Sequence, residues 1–220
     1  MPADPHPIDH GLLAQVPPLA RLALAYAPVA ARAVWLGFFA LDARLARQCR
    51  DAREPILAQL RLAWWRDRLG EPASAWPAGE PLLAALHDWR GGHGGLVALV
   101  DGWEHLLGEA PLSENALVAF ATGRAATLSA LAGVTGAGAS PAVIAARAAG
   151  WSYADLALHL SHRDEREAAL RLARAQAVPR LPRSMRPLAV LGGVARRQAD
   201  HGAARRGDFL LALRLGITGV

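Results

Sequence analysis

Lysine is absent from this chain: all 24 of its basic residues are Arg. Chemistry that needs a lysine amine, such as Schiff-base formation or a phosphate-loop lysine, is therefore excluded. Cysteine occurs once, at Cys49, which rules out an intramolecular disulfide and a cysteine-based zinc site. β-Branched residues are few, with four Ile, twelve Val and four Thr in 220 residues. Alternating apolar and polar runs of strand type are scarce as well. No uninterrupted apolar run reaches the ~18 residues of a spanning helix. The N-terminal residues show no basic region followed by a cleavable apolar segment. A cytoplasmic protein is expected, with the periphery of the inner membrane as a second location.

Ala, Leu and Arg dominate what is present, and all three favour helix. Apolar residues recur at helical spacing over long windows, so the chain reads as a single all-α domain over residues 1–220. Fifteen Pro and 21 Gly punctuate it. Pro17 and Pro18 open a first helix that Pro28 ends. The pattern predicts helices from about Val29 to Arg50, from Pro55 to Gly70, from Pro81 to the Gly91-Gly92 pair, and from Gly94-Gly95 to Leu107. Ser113 and Ser140 read as N-caps of two long helices, and Asp164 as the cap of a third. Two helical pieces close the chain.

Charge is uneven. Residues 1–170 carry 14 Arg against 17 acids, a net of −3; residues 171–220 carry ten Arg against two Asp, a net of +8. The basic C-terminal section reads either as a solvated helical face or as a surface for a protein partner or an anionic membrane. No nucleic acid is expected, because neither a helix-turn-helix pattern nor aromatic-basic interleaving is present. A Gly-rich phosphate loop after a strand, a nucleophile elbow and an i, i+4 His pair with metal spacing are also missing.

The densest feature is residues 61–68, RLAWWRDR. Its indoles and guanidinium groups read either as the amphipathic edge of a central helix or as an Arg-lined pocket for a diphosphate. Trp35, Trp103 and Trp151 read as packing residues, and Cys49 as a small buried one. Asp155 stands in an apolar helix, where it either pairs with Arg124 or Arg61 or is a metal ligand.

Three segments resemble the squalene/phytoene synthase family of head-to-head prenyl transferases, and together they span most of the chain. Residues 32–45 read RAVWLGFFALDARL, against a family helix of roughly R-x-A-x-x-A-L-Y-A-F-C-R. Residues 54–67 read EPILAQLRLAWWRD. This is the most specific match, typical of a short bacterial branch similar to the phytoene-synthase-like assembly factor of respiratory complex I. Residues 120–128, FATGRAATL, fall where the enzymes have about Y-C-x-x-V-A-G-x-V-G.

The resemblance implies an isoprenoid synthase-type helical bundle, here truncated, around a central apolar cavity. In the enzymes two Asp-rich motifs face each other across the cavity mouth and hold the Mg²⁺ ions that neutralise the departing diphosphate. This chain departs from both motifs. Ala46, Arg47 and Arg50 stand where the first should carry acids. Residues 154–164, ADLALHLSHRD, keep neither the Gln nor the Asn of the second.

Two functional expectations follow. One is a non-catalytic assembly factor or isoprenoid- or lipid-binding adaptor without a cofactor. Its diphosphate-binding candidates are Arg47, Arg50, Arg61, Trp64, Trp65, Arg66, Phe120 and Arg124. The alternative is an active prenyl transferase in which Asp42, Asp51, Asp155 and Asp164 hold Mg²⁺. A third possibility is an unrelated all-helical module.

Overall fold

A computed structural model describes residues 10–51, 54–202 and 207–220. The described residues form eleven α-helices and short 3-10 turns, with no strand. The helices are α1 (His10–Gln15), α2 (Pro18–Leu24), α3 (Val29–Arg50), α4 (Pro55–Gly70), α5 (Pro81–Leu86) and α6 (Gly94–Glu104). They continue as α7 (Glu114–Val134), α8 (Pro141–His159), α9 (Arg163–Ala175), α10 (Arg186–His201) and α11 (Gly207–Thr218).

The helix starts follow local chemistry. Pro occupies the first turn of α2, α4, α5, α8 and α10, where its missing N–H leaves no intrahelical bond unmade. The hydroxyls of Ser113 and Ser140 accept from the backbone N–H groups of Ala116 and Val143, so both are the N-caps the sequence predicts. Asp164 is not a cap. His162 precedes α9, and Asp164 lies in the first turn, where its charge still favours the helix dipole. Gly202, at φ 73°, supplies the left-handed residue that ends α10.

α7 and α8 form the centre. α7 packs on α6 and α8, α8 also on α9 and α10, and α10 carries α11 on its far side. α3 lies against α1, α4, α5, α6 and the middle of α7. Trp35, Phe38, Leu41 and Leu45 of α3 are fully buried at helical spacing, each contributing on the order of 2 kcal/mol by leaving water. The Trp35 indole also donates to the Ser184 carbonyl at 2.9 Å, which ties α3 to the start of α10.

α6 and α7 approach at a pair of glycines. A Cβ on Gly123 would lie 2.3 Å from the Ala98 carbonyl oxygen and 2.9 Å from the Gly102 Cα. Only hydrogen fits there, so the two backbones nearly touch. Trp103 and Arg124, the next residue along each helix, are thereby brought to the same place. α7 is long and apolar enough by composition to span a bilayer, but 56% of that stretch is buried in the core.

Candidate functional site

Asp42 falls on the buried stripe of α3, directly after Leu41. A carboxylate there must find partners, because an unpaired buried charge costs several kcal/mol. Arg124 sits in the same position on α7, 3% exposed within an apolar run. The two meet. Arg124 donates from Nε to Asp42 Oδ1 at 3.1 Å and from Nη2 to Asp42 Oδ2 at 2.6 Å, a bidentate pair. Its remaining arm, Nη1, donates to Asp155 Oδ2 on α8 at 2.8 Å. The indole of Trp103 donates to Asp42 Oδ1 at 2.9 Å. One guanidinium thus joins α3, α7 and α8.

Aromatic rings close the cluster. The Arg124 guanidinium carbon stands 4.2 Å from the centre of the Trp151 ring and 4.7 Å from that of Phe120, distances suited to cation–π attraction. Phe120 and Trp103 pack edge to face at 4.9 Å.

Burial pushes the Asp42 carboxyl above its ordinary range, against the opposing pull of Arg124. Burial alone would lower the guanidinium, but the charges of Asp42 and Asp155 outweigh it and hold Arg124 above its usual value. The geometry is that of an ion pair, since three N–H donors point at the Asp42 oxygens.

These carboxylates do not suit Mg²⁺. The ion needs near-octahedral oxygen ligands at about 2.0–2.1 Å, whereas both oxygens of Asp42 and one of Asp155 already accept from Arg124. At an effective dielectric of about 20, that guanidinium would repel a dication about 4 Å away by roughly 8 kcal/mol, which offsets the attraction of one of the two carboxylates. Of the other two acids considered as metal ligands, Asp51 is exposed beyond the end of α3. Asp164 is exposed at the start of α9. Among the described residues no three His, Cys, Asp or Glu side chains converge on a point suited to a metal.

The other candidates are scattered. Arg47 and Arg44 both donate to Gln15 of α1, at 3.0 and 3.2 Å. Arg50 and Arg61 are exposed at the surfaces of α3 and α4. Arg66 pairs with Asp101 and Glu104 of α6. Trp65 is buried, and Trp64 packs edge to face on it at 4.9 Å from the exposed side. Residues 61–68 spread around their helix, since adjacent helical residues diverge by about 100°, and Arg66 is held by the acids of α6.

Of the twelve candidate residues, Asp42, Phe120, Arg124 and Asp155 form one site. The expected pairing of Asp155 with Arg124 is found. Trp103 and Trp151 do more than pack, since one donates to Asp42 and the other covers the guanidinium. An indole N–H needs a buried acceptor, but sequence spacing does not say which acid it meets. Arg147 of α8 also escaped the sequence reading. It is buried, its Nη2 lacks a hydrogen-bond partner among the described residues, and burial beside Arg196 lowers its pKa to about 10.

Comparisons with protein-family models, with curated proteins and with solved structures find no match for this chain.

Proposed function

We propose that the chain is a non-catalytic protein of squalene/phytoene synthase type, serving as an assembly factor or lipid-binding adaptor. The observation that carries this reading is Arg124, whose guanidinium lies between Asp42 and Asp155. These are acids of α3 and α8, the helices onto which the resemblance puts the two facing metal-binding motifs. In an enzyme that space must take Mg²⁺ and a diphosphate. Here a fixed cation bonds both carboxylates, and Trp103, Trp151 and Phe120 pack around it.

The substitution keeps the architecture and removes the chemistry. One guanidinium bonds the acids of two helices, offsetting one of their two charges, and so supplies the cross-link that a metal would otherwise give. It offers no Lewis acid for ionising an allylic diphosphate. Ala46, Arg47 and Arg50 in place of acids fit the same loss of a metal-binding mouth.

The test is release of inorganic diphosphate from farnesyl diphosphate by pure protein with Mg²⁺. The reading expects no release above the protein-free blank. Mg²⁺-dependent release would restore the prenyl transferase reading, with Asp42 and Asp155 freed from Arg124 during turnover.

A further inference from the structure

α11 is apolar on both sides. Its inner face, with Ala212, Leu215 and Gly216, is buried. It fits closely: a Cβ on Gly216 would fall 2.0 Å from the Tyr26 ring, and one on Gly193 of α10 only 2.3 Å from Leu215. The outer face carries Phe209, Leu210, Leu213 and Ile217, exposed by 59, 68, 40 and 58%. These four fall within about 100° of arc at 100° per residue. Arg214 borders them and is the one charged side chain exposed on this helix. Asp208, the acid of α11, is buried.

Ile217 also stands at the rim of a cleft of about 350 Å³, lined with Tyr26, Val29, Arg32, Arg183 and Arg186. No acid lines it. The Nε atoms of Arg32 and Arg186 are buried without a hydrogen-bond partner among the described residues. Arg180 donates to the Thr218 carbonyl at 3.2 Å, which places a further cation at the end of α11. Other arginines of this section are neutralised within the fold, such as Arg171 by Glu114 and Arg174 by Asp200.

We propose that this face lies on an anionic phospholipid surface. Phe209, Leu210, Leu213 and Ile217 enter the boundary between headgroups and acyl chains, and the Arg32–Arg183–Arg186 cleft receives a lipid phosphate. The pairing of chemistries selects this occupant. An apolar helical stripe flanked by cations matches the interface of a charged bilayer, and guanidinium groups match phosphate oxygens in number and direction. A free phosphate would leave the apolar stripe in water. A symmetric second copy would bring Arg214 and the neighbouring arginines against their own duplicates. The inference goes beyond the proposed loss of prenyl transfer and rests on residues outside the Arg124 cluster.

The test is sedimentation of the full chain with vesicles of phosphatidylcholine alone or mixed with phosphatidylglycerol. Binding is expected to the mixed vesicles only, and to weaken as salt rises. Replacing Arg183→Gln and Arg186→Gln together should weaken it about thirty-fold, from about fivefold lost per guanidinium near the surface. Leu210→Ser with Leu213→Ser should abolish it. All four side chains lie at the surface or the cleft rim, and unchanged circular dichroism would show that the variants fold. Equal binding to neutral vesicles, or no binding to either, overturns the proposal. So does a dimer in light scattering that Leu213→Ser dissolves, or full competition by inorganic phosphate at millimolar concentration. The farnesyl diphosphate assay reads different residues, so the two proposals fail separately.

Discussion

Trp103 and Arg124 bond the same oxygen: the indole Nε1 stands 2.9 Å from Asp42 Oδ1 and the guanidinium Nε 3.1 Å from it. Each residue directly follows a glycine, Gly102 and Gly123, at the point where α6 and α7 touch. This close backbone approach therefore aims two donors at one carboxylate of α3. Backbone packing and the polar cluster are a single arrangement, and disturbing either should disturb the other.

Arg124→Met should destabilise the protein by about 3–5 kcal/mol, because it leaves the Asp42 carboxylate buried without its cation. The double variant Arg124→Met with Asp42→Asn should lose less than the sum of the two single variants, since the buried Asp42 charge that the first change strands is gone in the second. Urea unfolding of all four proteins measures the difference. Strict additivity would show that the pair is not coupled.

Gly123→Ala tests the contact from the backbone side. Helix propensity alone favours Ala over Gly by up to about 1 kcal/mol. At Gly123 the added carbon meets the Ala98 carbonyl, so the expected change is a loss of about 1–3 kcal/mol from overpacking. Thermal unfolding decides the sign, and a stabilised variant would contradict the close approach.

Much of this was legible in the sequence, for reasons that differ by feature. The bounds of α3 and α4 follow from Pro28, Pro55 and Gly70, because ring and glycine constraints act locally. Ser113 and Ser140 were readable for the same reason. Asp155 was visible as a charge inside an apolar helix, which signals that it needs a partner, with Arg124 and Arg61 both open. That Arg124 takes both Asp42 and Asp155, leaving Asp51 and Asp164 outside, depends on helices packed far apart in sequence. Arg147 gave no signal, because an arginine every few residues is ordinary in this chain.

Arg147 should oppose folding. Burial beside Arg196 depresses its pKa to about 10, so the folded state holds this proton less tightly than the unfolded chain does. The penalty is fully present below pH 10 and is relieved as pH rises through about 10 toward the ordinary guanidinium range. Arg147→Met keeps the volume and removes the charge. It should stabilise the protein by about 1–3 kcal/mol at neutral pH, measured by urea unfolding. A loss of stability would show that the guanidinium has a counter-charge in solution.

Cys49 should be a slow nucleophile. Burial raises its thiol to about 11, above the usual 9.0, although Arg50 pulls the other way. Thiolate is the reactive form, so labelling by a disulfide reagent at neutral pH should be much slower in the folded protein than in urea. The folded rate should climb only as pH nears 11. Equal rates in both states would contradict this.

The most direct test of the central claim is calorimetric titration of pure protein with farnesyl diphosphate, with and without Mg²⁺. If Arg124 occupies the place between Asp42 and Asp155, Mg²⁺ changes nothing: the diphosphate binds equally in both titrations or not at all. Tight binding that appears only with Mg²⁺ would mean that the two carboxylates still hold metal, and would contradict the account.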